Sequence, residues 1–287
     1  LYKEKVEHLA WDDDRIAEAV VAAKHSNVAV VVLGLDETLE GEEGDTGNSA
    51  ASGDKNDLLL PEPQRLLLDK VLAVGKPTIV ILMAGSSIDL SVAQEKAGAI
   101  LLTWYPGASG GKTVADLLFG KASPSGKLPV TFYKNEALGE MPEFTDYSMR
   151  NRTYRYYTGT PLYPFGYGLT YGDVAVTDLK ADRQMACVTV ENRGRATEDV
   201  VQLYIRDNGS ADAPTNPILC GFQRVALAEG ESKQVMIPIN PQSMTVVNEV
   251  GQRIPGSGSW TLYAGLGQPD TRTAELTGKT ALSVELK

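Results

Sequence analysis

The side chains best suited to chemistry lie in one acidic loop near the start of the chain. Six carboxylates fall within ten residues and are interrupted by glycines: Asp36, Glu37, Glu40, Glu42, Glu43 and Asp45. Crowded carboxylates raise one another's pKa, and this is how a carboxylic acid stays protonated near neutral pH. Such a group can act as a general acid. The alternative interpretation is a solvated acidic loop without a chemical role.

Glycoside hydrolysis is the reaction class that this loop suits best. It requires one carboxylic acid to protonate the leaving group, together with a second carboxylate that acts as nucleophile or base. A calcium-binding loop would use the same side chains, but their spacing here lacks the order of an EF-hand. The acidic loop therefore favours acid catalysis over metal binding.

A glycine-rich stretch at residues 107–113 invites a second interpretation, that of a phosphate-binding loop. Only three residues separate Gly107 from Gly111, whereas the P-loop requires four at this point. The spacing therefore indicates the glycine-rich start of a helix that packs closely. We expect no nucleotide site here.

Metal and cofactor chemistry are not expected either. The chain has two histidines, His8 and His25, and we do not expect either to serve in a catalytic triad. Together with its two cysteines, Cys187 and Cys220, they provide too few ligands for a zinc enzyme. We therefore predict an activity that needs no cofactor and no metal.

Composition and charge exclude several classes of partner. The 287 residues include 27 basic and 37 acidic side chains, which gives a net charge of −10. A chain of this charge lacks the excess of basic side chains that attracts nucleic acid or anionic lipid. With 43% hydrophobic and 22% charged residues, the composition is typical of a soluble globular protein, cytoplasmic or secreted. No apolar run approaches the roughly 20 residues that span a bilayer.

The acidic loop directly follows a predicted strand. Apolar residues at helical spacing from Ile16 to Ala23 precede the apolar run 28–33, which predicts a helix and then a strand buried on both faces. Similar units continue to about residue 132, with helices from Pro61, at 88–96 and at 110–119, and with strands at 77–83, 99–104 and 128–132. Helices between buried strands predict a mainly parallel α/β domain, whose sites lie at the carboxyl ends of its strands.

The pattern changes twice after this domain. Residues 133–172 are rich in Tyr, Pro and Gly and predict an ordered aromatic connector. From Asp173 onward, short segments alternate apolar and polar residues and are separated by turn signals, which predicts an antiparallel β-sandwich. We therefore expect an α/β domain at 1–132, a connector at 133–172 and an all-β domain at 173–287.

Several motifs together carry a family resemblance. They occupy residues 30–45, 58–61 with Gln64, 104–111, 124–132, 154–157 and 163–171. In this order they resemble the C-terminal half of glycoside hydrolase family 3, the β-glucosidase and β-xylosidase family. The final sandwich resembles the fibronectin type III-like domain that closes many members.

The resemblance implies roles for residues of the acidic loop. In the family, the α/β domain supplies a general acid/base glutamate, and a preceding (β/α)8 barrel carries the aspartate nucleophile of a retaining mechanism. Many members place this glutamate in a Glu-x-x-Asp-Arg pattern before Leu-Pro. Residues 42–45 fit the first four positions, with Thr46 in place of Arg, while the pair at 54–55 is a second candidate for the Asp-Arg position. Glu42 is therefore the first choice for the acid/base, followed by Glu43 and then Glu40.

The resemblance also implies a substrate and a partner. We expect the C-terminal portion of an exo-acting β-glycosidase, a β-glucosidase, that acts on a β-linked glucoside or xyloside oligosaccharide. Because the sequence contains no barrel, we expect a second chain or segment to carry it. Trp104 and the connector tyrosines could stack on sugar rings, although packing is the more common role of such clusters. The rival function is a non-catalytic carbohydrate-binding or scaffold protein.

Overall fold

The computed structural model of the protein describes residues 14–36 and 55–286. By its internal contacts the chain divides into two compact units, Leu1–Val114 and Ala115–Lys287. Within the described residues, no helix has both the length and the apolar character needed to cross a membrane. An α/β layer with a parallel sheet precedes an all-β sandwich, which confirms the predicted fold class.

The first unit alternates helices and strands. Its elements are α1 (Asp14–Lys24), β1 (Ala29–Gly34), α2 (Glu62–Leu72), β2 (Thr78–Met83), α3 (Ser91–Lys96), β3 (Ala99–Leu102) and the first turns of α4 (Gly110–Leu118). The three strands pair in parallel in the order β1-β2-β3. Pro61 occupies the N-cap position of α2 and Pro63 lies in its first turn, where a missing backbone N–H breaks no helical hydrogen bond. Parallel pairing brings the loops that follow all three strands to one edge of the sheet.

The two faces of strand β1 differ in burial. Val80 and Leu82 on the central strand β2 have no exposed surface. On β1, by contrast, Val30 is 48% exposed and Val32 is 57% exposed. The prediction that the strand at 28–33 is buried on both faces is therefore wrong for the described part of the chain, which buries only one face of β1.

The second unit contains an antiparallel sandwich. Its strands are β4 (Val174–Ala181), β5 (Met185–Asn192), β6 (Thr197–Asp207), β7 (Ile218–Leu227), β8 (Ser232–Pro238), β9 (Thr245–Val247), β10 (Arg253–Pro255), β11 (Trp260–Gly265) and β12 (Leu282–Leu286). One sheet has the order β12-β11-β6-β7 and the other β4-β5-β8, while β9 and β10 form a hairpin. A short helix, α6 (Thr271–Thr277), precedes β12.

The alternation read from the sequence matches the core of this sandwich. The alternation predicts eleven inward residues, of which ten are buried in one apolar cluster: Val188, Val190, Val201, Leu203, Ile205, Ile237, Ile239, Trp260, Leu262 and Ala264. The eleventh, Val235, is only partly buried and packs against this cluster. Alternation is informative here because each antiparallel strand has one face toward the core and one toward solvent.

The predicted strand at 128–132 does not form. Leu128 N–H donates to Tyr167 O at 2.8 Å, and Phe132 makes an isolated bridge with Tyr163. Pro129 lies inside this segment and has no N–H to donate, which excludes it from the interior of a sheet ladder. Residues 128–132 therefore pair with the connector in the second unit instead of adding a strand to the parallel sheet.

Aromatic rings pack the connector within the second unit. Tyr154 is stacked on Phe165, with ring centroids 4.1 Å apart, and both rings meet Tyr204 of β6 edge-on. Tyr163 and Tyr167 are stacked at 5.3 Å. Burial raises the pKa of Tyr204, whose hydroxyl donates to the side chain of Gln202. These rings serve packing, which was the more common of the two roles considered for the connector tyrosines.

Candidate functional site

The candidate acid/base residues Glu42, Glu43 and Glu40 lie outside the described residues, as do Glu37 and Asp45. Asp36, the first carboxylate of the acidic loop, is described and exposed. The structure therefore defines the candidate site through the residues that hold the two ends of the loop and through the neighbouring loops at the same edge of the sheet.

The first end of the acidic loop is held by Gln64, in the first turn of α2. Its side chain accepts a hydrogen bond from Gly34 N–H at 2.9 Å and donates one to Gly34 O at 2.7 Å. A Cβ at position 34 would overlap the carbonyl oxygen of Met83 on β2, so only glycine fits there. These contacts fix the backbone two residues before Asp36.

The second end of the loop is tied to the turn that follows β2. Asp89 N–H donates to Leu58 O at 2.7 Å, and Asp57 accepts from Leu59 N–H at 2.9 Å. Lys55 Nζ donates to Leu59 O at 2.6 Å. The two ends of the acidic loop are thus held by hydrogen bonds to α2 and to the segment between β2 and α3.

The loop after β3 contributes two aromatic residues to the same edge. Trp104 has a left-handed backbone, with φ of 51°, and its side chain is half-buried, while Tyr105 is 52% exposed. A left-handed tryptophan is costly, and such residues cluster at functional sites. A Cβ at Gly110 would clash with the ring of Pro106, which explains a glycine at the start of α4. The amino-acid sequence indicates an aromatic side chain at position 104 that could stack on a sugar ring, but it does not reveal the left-handed backbone there.

A separate cavity of about 520 Å³ lies in the second unit. Lys127, Asp199 and Lys279 line this cavity. Lys127 forms a salt bridge with Asp199, and Lys279 forms one with Asp173. Burial raises the pKa of Asp270, the N-cap of α6, against the opposing effect of a hydrogen bond from Thr273 N–H. The charged groups of this cavity are therefore engaged with protein partners, and it does not resemble a catalytic site.

The described residues were also compared with the ligand sets that bind metal ions. Within 14–36 and 55–286, no group of three or more His, Cys, Asp or Glu side chains is placed to bind an ion.

Comparison with known proteins assigns both parts of the chain. Residues 2–171 match the model of the glycosyl hydrolase family 3 C-terminal domain, and residues 199–267 match that of the fibronectin type III-like domain. A xylan 1,4-β-xylosidase of Xylanibacter ruminicola is 36% identical over 79% of this chain and 27% of its own length. A periplasmic β-glucosidase of Salmonella typhimurium is 32% identical over 88% of this chain and 34% of its own length.

A solved structure has the same architecture. The β-glucosidase of Erythrobacter marinus superimposes with a TM-score of 0.77 at 34% identity, over 95% of this chain and 36% of the other. The chain spans about a third of the length of the relatives it matches. Its parallel α/β layer, its sandwich and both domain matches show that it belongs to glycoside hydrolase family 3, with the C-terminal domain of that family followed by a fibronectin type III-like domain.

Proposed function

We propose that this chain is the C-terminal portion of a retaining exo-β-glycosidase and that it supplies the general acid/base to the active site. A (β/α)8 barrel on another chain or segment carries the aspartate nucleophile and completes the site. The observation that supports this most directly is the pair of anchored loop ends. Hydrogen bonds at Gly34 and at Leu58 fix the described residues on both sides of the carboxylate-rich segment, at the parallel sheet where α/β proteins place their sites.

Glu42 is the proposed acid/base. In the first step its carboxylic acid protonates the glycosidic oxygen while the barrel aspartate attacks the anomeric carbon, so the leaving sugar departs as an alcohol. In the second step the Glu42 carboxylate takes a proton from water, which displaces the aspartate and restores the starting configuration. The two carboxyl groups must lie about 5 to 5.5 Å apart in such an enzyme.

A β-linked glucoside is the proposed substrate, with a xyloside as the alternative. Relatives named β-glucosidase and relatives named β-xylosidase both match the chain. The two sugars differ by the hydroxymethyl group at C5, so a pocket that accepts glucose must leave room for it. Comparison of kcat/KM for matched aryl β-glucosides and aryl β-xylosides, measured on this chain joined to its barrel portion, decides between them.

The test of the catalytic role uses Glu42→Gln in the assembled enzyme. The amide keeps the shape of the side chain but cannot donate the proton, so kcat/KM on disaccharides should fall by about 100-fold or more. Activated aryl glycosides should suffer less because their leaving groups need little protonation. Glu43→Gln and Glu40→Gln are the matched controls. If Glu43→Gln loses disaccharide hydrolysis while Glu42→Gln keeps it, Glu43 is the acid/base.

Added azide gives an independent readout. In Glu42→Ala on an activated substrate, azide can attack the glycosyl intermediate without help from a base, so it should restore turnover and yield a β-glycosyl azide. A barrel portion that hydrolyses glycosides equally well without this chain would overturn the proposal and support the rival non-catalytic role.

A further inference from the structure

Two aromatic rings project from the second unit in a way that its own packing does not explain. Phe144 is 86% exposed and Tyr147 is 84% exposed, and no other aromatic side chain in the described part of the chain is more exposed. Both belong to residues 141–152, called the aromatic loop below. It joins a 3₁₀ helix (Asn135–Glu140) to the short helix α5 (Thr153–Tyr156). Exposed rings of this size are costly in water unless something covers them.

The aromatic loop is ordered by its own hydrogen bonds. Arg152 donates from its guanidinium to Glu143 O at 2.7 Å and to Pro142 O at 3.2 Å. Asn151 donates to Glu140 O at 3.3 Å and accepts from the Thr158 hydroxyl at 2.9 Å. These bonds close the base of the loop, as in a compact Ω-loop. The rings are therefore held outward by a defined backbone.

Backbone strain is concentrated in the same loop and at the first residue of α5, which directly follows it. Met149, Asn151 and Thr153 have φ values of 63°, 56° and 55°. The left-handed region is unfavourable for Met and for β-branched Thr, and each such residue costs about 1–3 kcal/mol. Strain of this kind persists where a particular surface shape has a use. A loop that only connected two elements would not need it.

The side chains around the two rings resemble the anatomy of a protein interface. Phe, Tyr, Met and Arg are enriched at interface centres, while charged groups of both signs form the rim. Here Arg150, with a side chain 73% exposed, makes only a 3.8 Å contact with Asp146. Two exposed aromatic rings in one loop with an exposed Arg–Asp pair suit a folded protein surface better than a single sugar unit.

We propose that the aromatic loop is the surface on which the barrel portion of the same enzyme docks, with Phe144 and Tyr147 as its anchors. The proposal rests on the proposed function for the existence of that portion, and the matched relatives are about three times as long as this chain. Docking covers the two rings and offsets the backbone strain. It also couples the second unit, through its connector, to the barrel.

Footprinting tests the contact without any need for catalysis. Hydroxyl radicals are applied to the lone chain and to the chain joined to its barrel portion, and oxidation of individual rings is measured by mass spectrometry. Oxidation of Phe144 and Tyr147 should be fast in the lone chain and slower by about tenfold in the assembled protein. Phe222, which is 64% exposed on β7, is the matched reference ring and should react equally in both.

Substitution gives a second, independent measurement. Phe144→Ser with Tyr147→Ser should leave the Tm of the lone chain unchanged, because both rings are exposed there. In the assembled protein the same pair should lower the Tm by about 2 to 4 °C or more. Phe222→Ser should change neither value. The comparison between the two proteins separates docking from a simple effect on folding.

Two outcomes would overturn the docking proposal. Equal oxidation of the two rings in both proteins would show that the barrel does not cover them. Protection of the rings in the lone chain by added cello- or xylo-oligosaccharide would identify a sugar platform instead. Loss of glycosidase activity bears only on the proposed function, since an inactive assembled protein with protected rings would still support docking.

Discussion

Lys127 Nζ lies 2.8 Å from Asp199 Oδ1, and the two side chains are only 10% and 4% exposed. Lys127 also donates to Gly168 O at 2.7 Å, while Asp199 accepts from the N–H of Val200. The lysine precedes the connector, the glycine lies near its C-terminal end, and the aspartate belongs to β6. One buried ion pair therefore ties both ends of the connector to the sandwich.

Breaking this pair from one side should be strongly destabilising. Lys127→Met leaves the Asp199 carboxylate buried without its partner, which costs about 3–5 kcal/mol in comparable cases. The double variant Lys127→Met with Asp199→Leu removes both charges and should recover most of that loss. Urea unfolding of the unsubstituted chain, of Lys127→Met and of the double variant measures the difference.

The exposed pair between Lys233 and Glu231 is the matched control. Their side chains are 46% and 36% exposed, so Lys233→Met should cost less than about 1 kcal/mol. A Lys127→Met variant as stable as Lys233→Met would show that burial does not strengthen the first pair.

Gln64 should matter more for turnover than for folding. Gln64→Ala removes both hydrogen bonds to Gly34, at about 1 kcal/mol each, and frees the backbone that leads into the acidic loop. In the assembled enzyme, displacement of the acid/base should lower kcat roughly 10- to 100-fold. The test measures kcat and Tm together. Gln94→Ala on α3 is the control, and an equal effect of both substitutions on kcat would contradict the positioning role.

Sequence patterns predicted much of this fold because the relevant signals are local. Helix spacing before β1, the apolar run of β2 and the alternation in β5 and β6 are each visible within a dozen residues. The error at 128–132 has a different origin, since Leu128 and Phe132 find their partners at Tyr167 and Tyr163, more than thirty residues away. Apolar composition alone cannot distinguish such pairing from a strand of the parallel sheet.

The candidate site shows the same division between local and distant information. Residue type and glycine spacing identified the acidic loop, and the choice of Glu42 within it stays a prediction. The part played by Gln64 depends on a distance to Gly34 across thirty residues, which no spacing rule contains. The conformation of Trp104 is equally invisible in the sequence, because left-handed residues are normally glycine or asparagine.

Asp207 should make the stability of the second unit depend on pH. Burial pushes the pKa of its carboxyl up, but N–H groups of Gly209, Ser210 and Ser257 bond to it and lower the pKa overall. A carboxyl with a lowered folded-state pKa stabilises the fold above the unfolded value of 3.8. That contribution is lost as pH falls through the folded-state pKa.

Asp207→Asn is the corresponding test. At pH 7 its Tm should lie about 2 to 4 °C below that of the unsubstituted chain. The gap should close as the pH is lowered below the unfolded value, because the aspartic acid then also carries a proton. Asp178→Asn, at an exposed position on β4, is the control and should change the Tm little. A gap that stays constant down to the acid limit would show that charge at Asp207 is not the cause.

The final prediction concerns what the sandwich does for the connector. A chain that ends at residue 172, the predicted domain boundary, separates Tyr154 and Phe165 from the Tyr204 ring. It also removes the buried hydrogen bond from Gln202 to Gly166 O, 2.9 Å long. The connector should then lose its fixed conformation. We expect this truncated chain to bind a hydrophobic dye strongly and to unfold at a lower temperature than the complete one.

A chain of residues 115–287 keeps all of these contacts and should unfold cooperatively without dye binding. A chain that ends at residue 114 is the control, because it contains none of the connector rings.

In the assembled enzyme, removal of residues 173–287 should lower the yield and the Tm but leave the preference between aryl glucosides and xylosides unchanged. A switch in that preference would mean that a sandwich loop reaches the substrate. An unchanged melting curve for the chain that ends at 172 would mean that the connector does not depend on the sandwich.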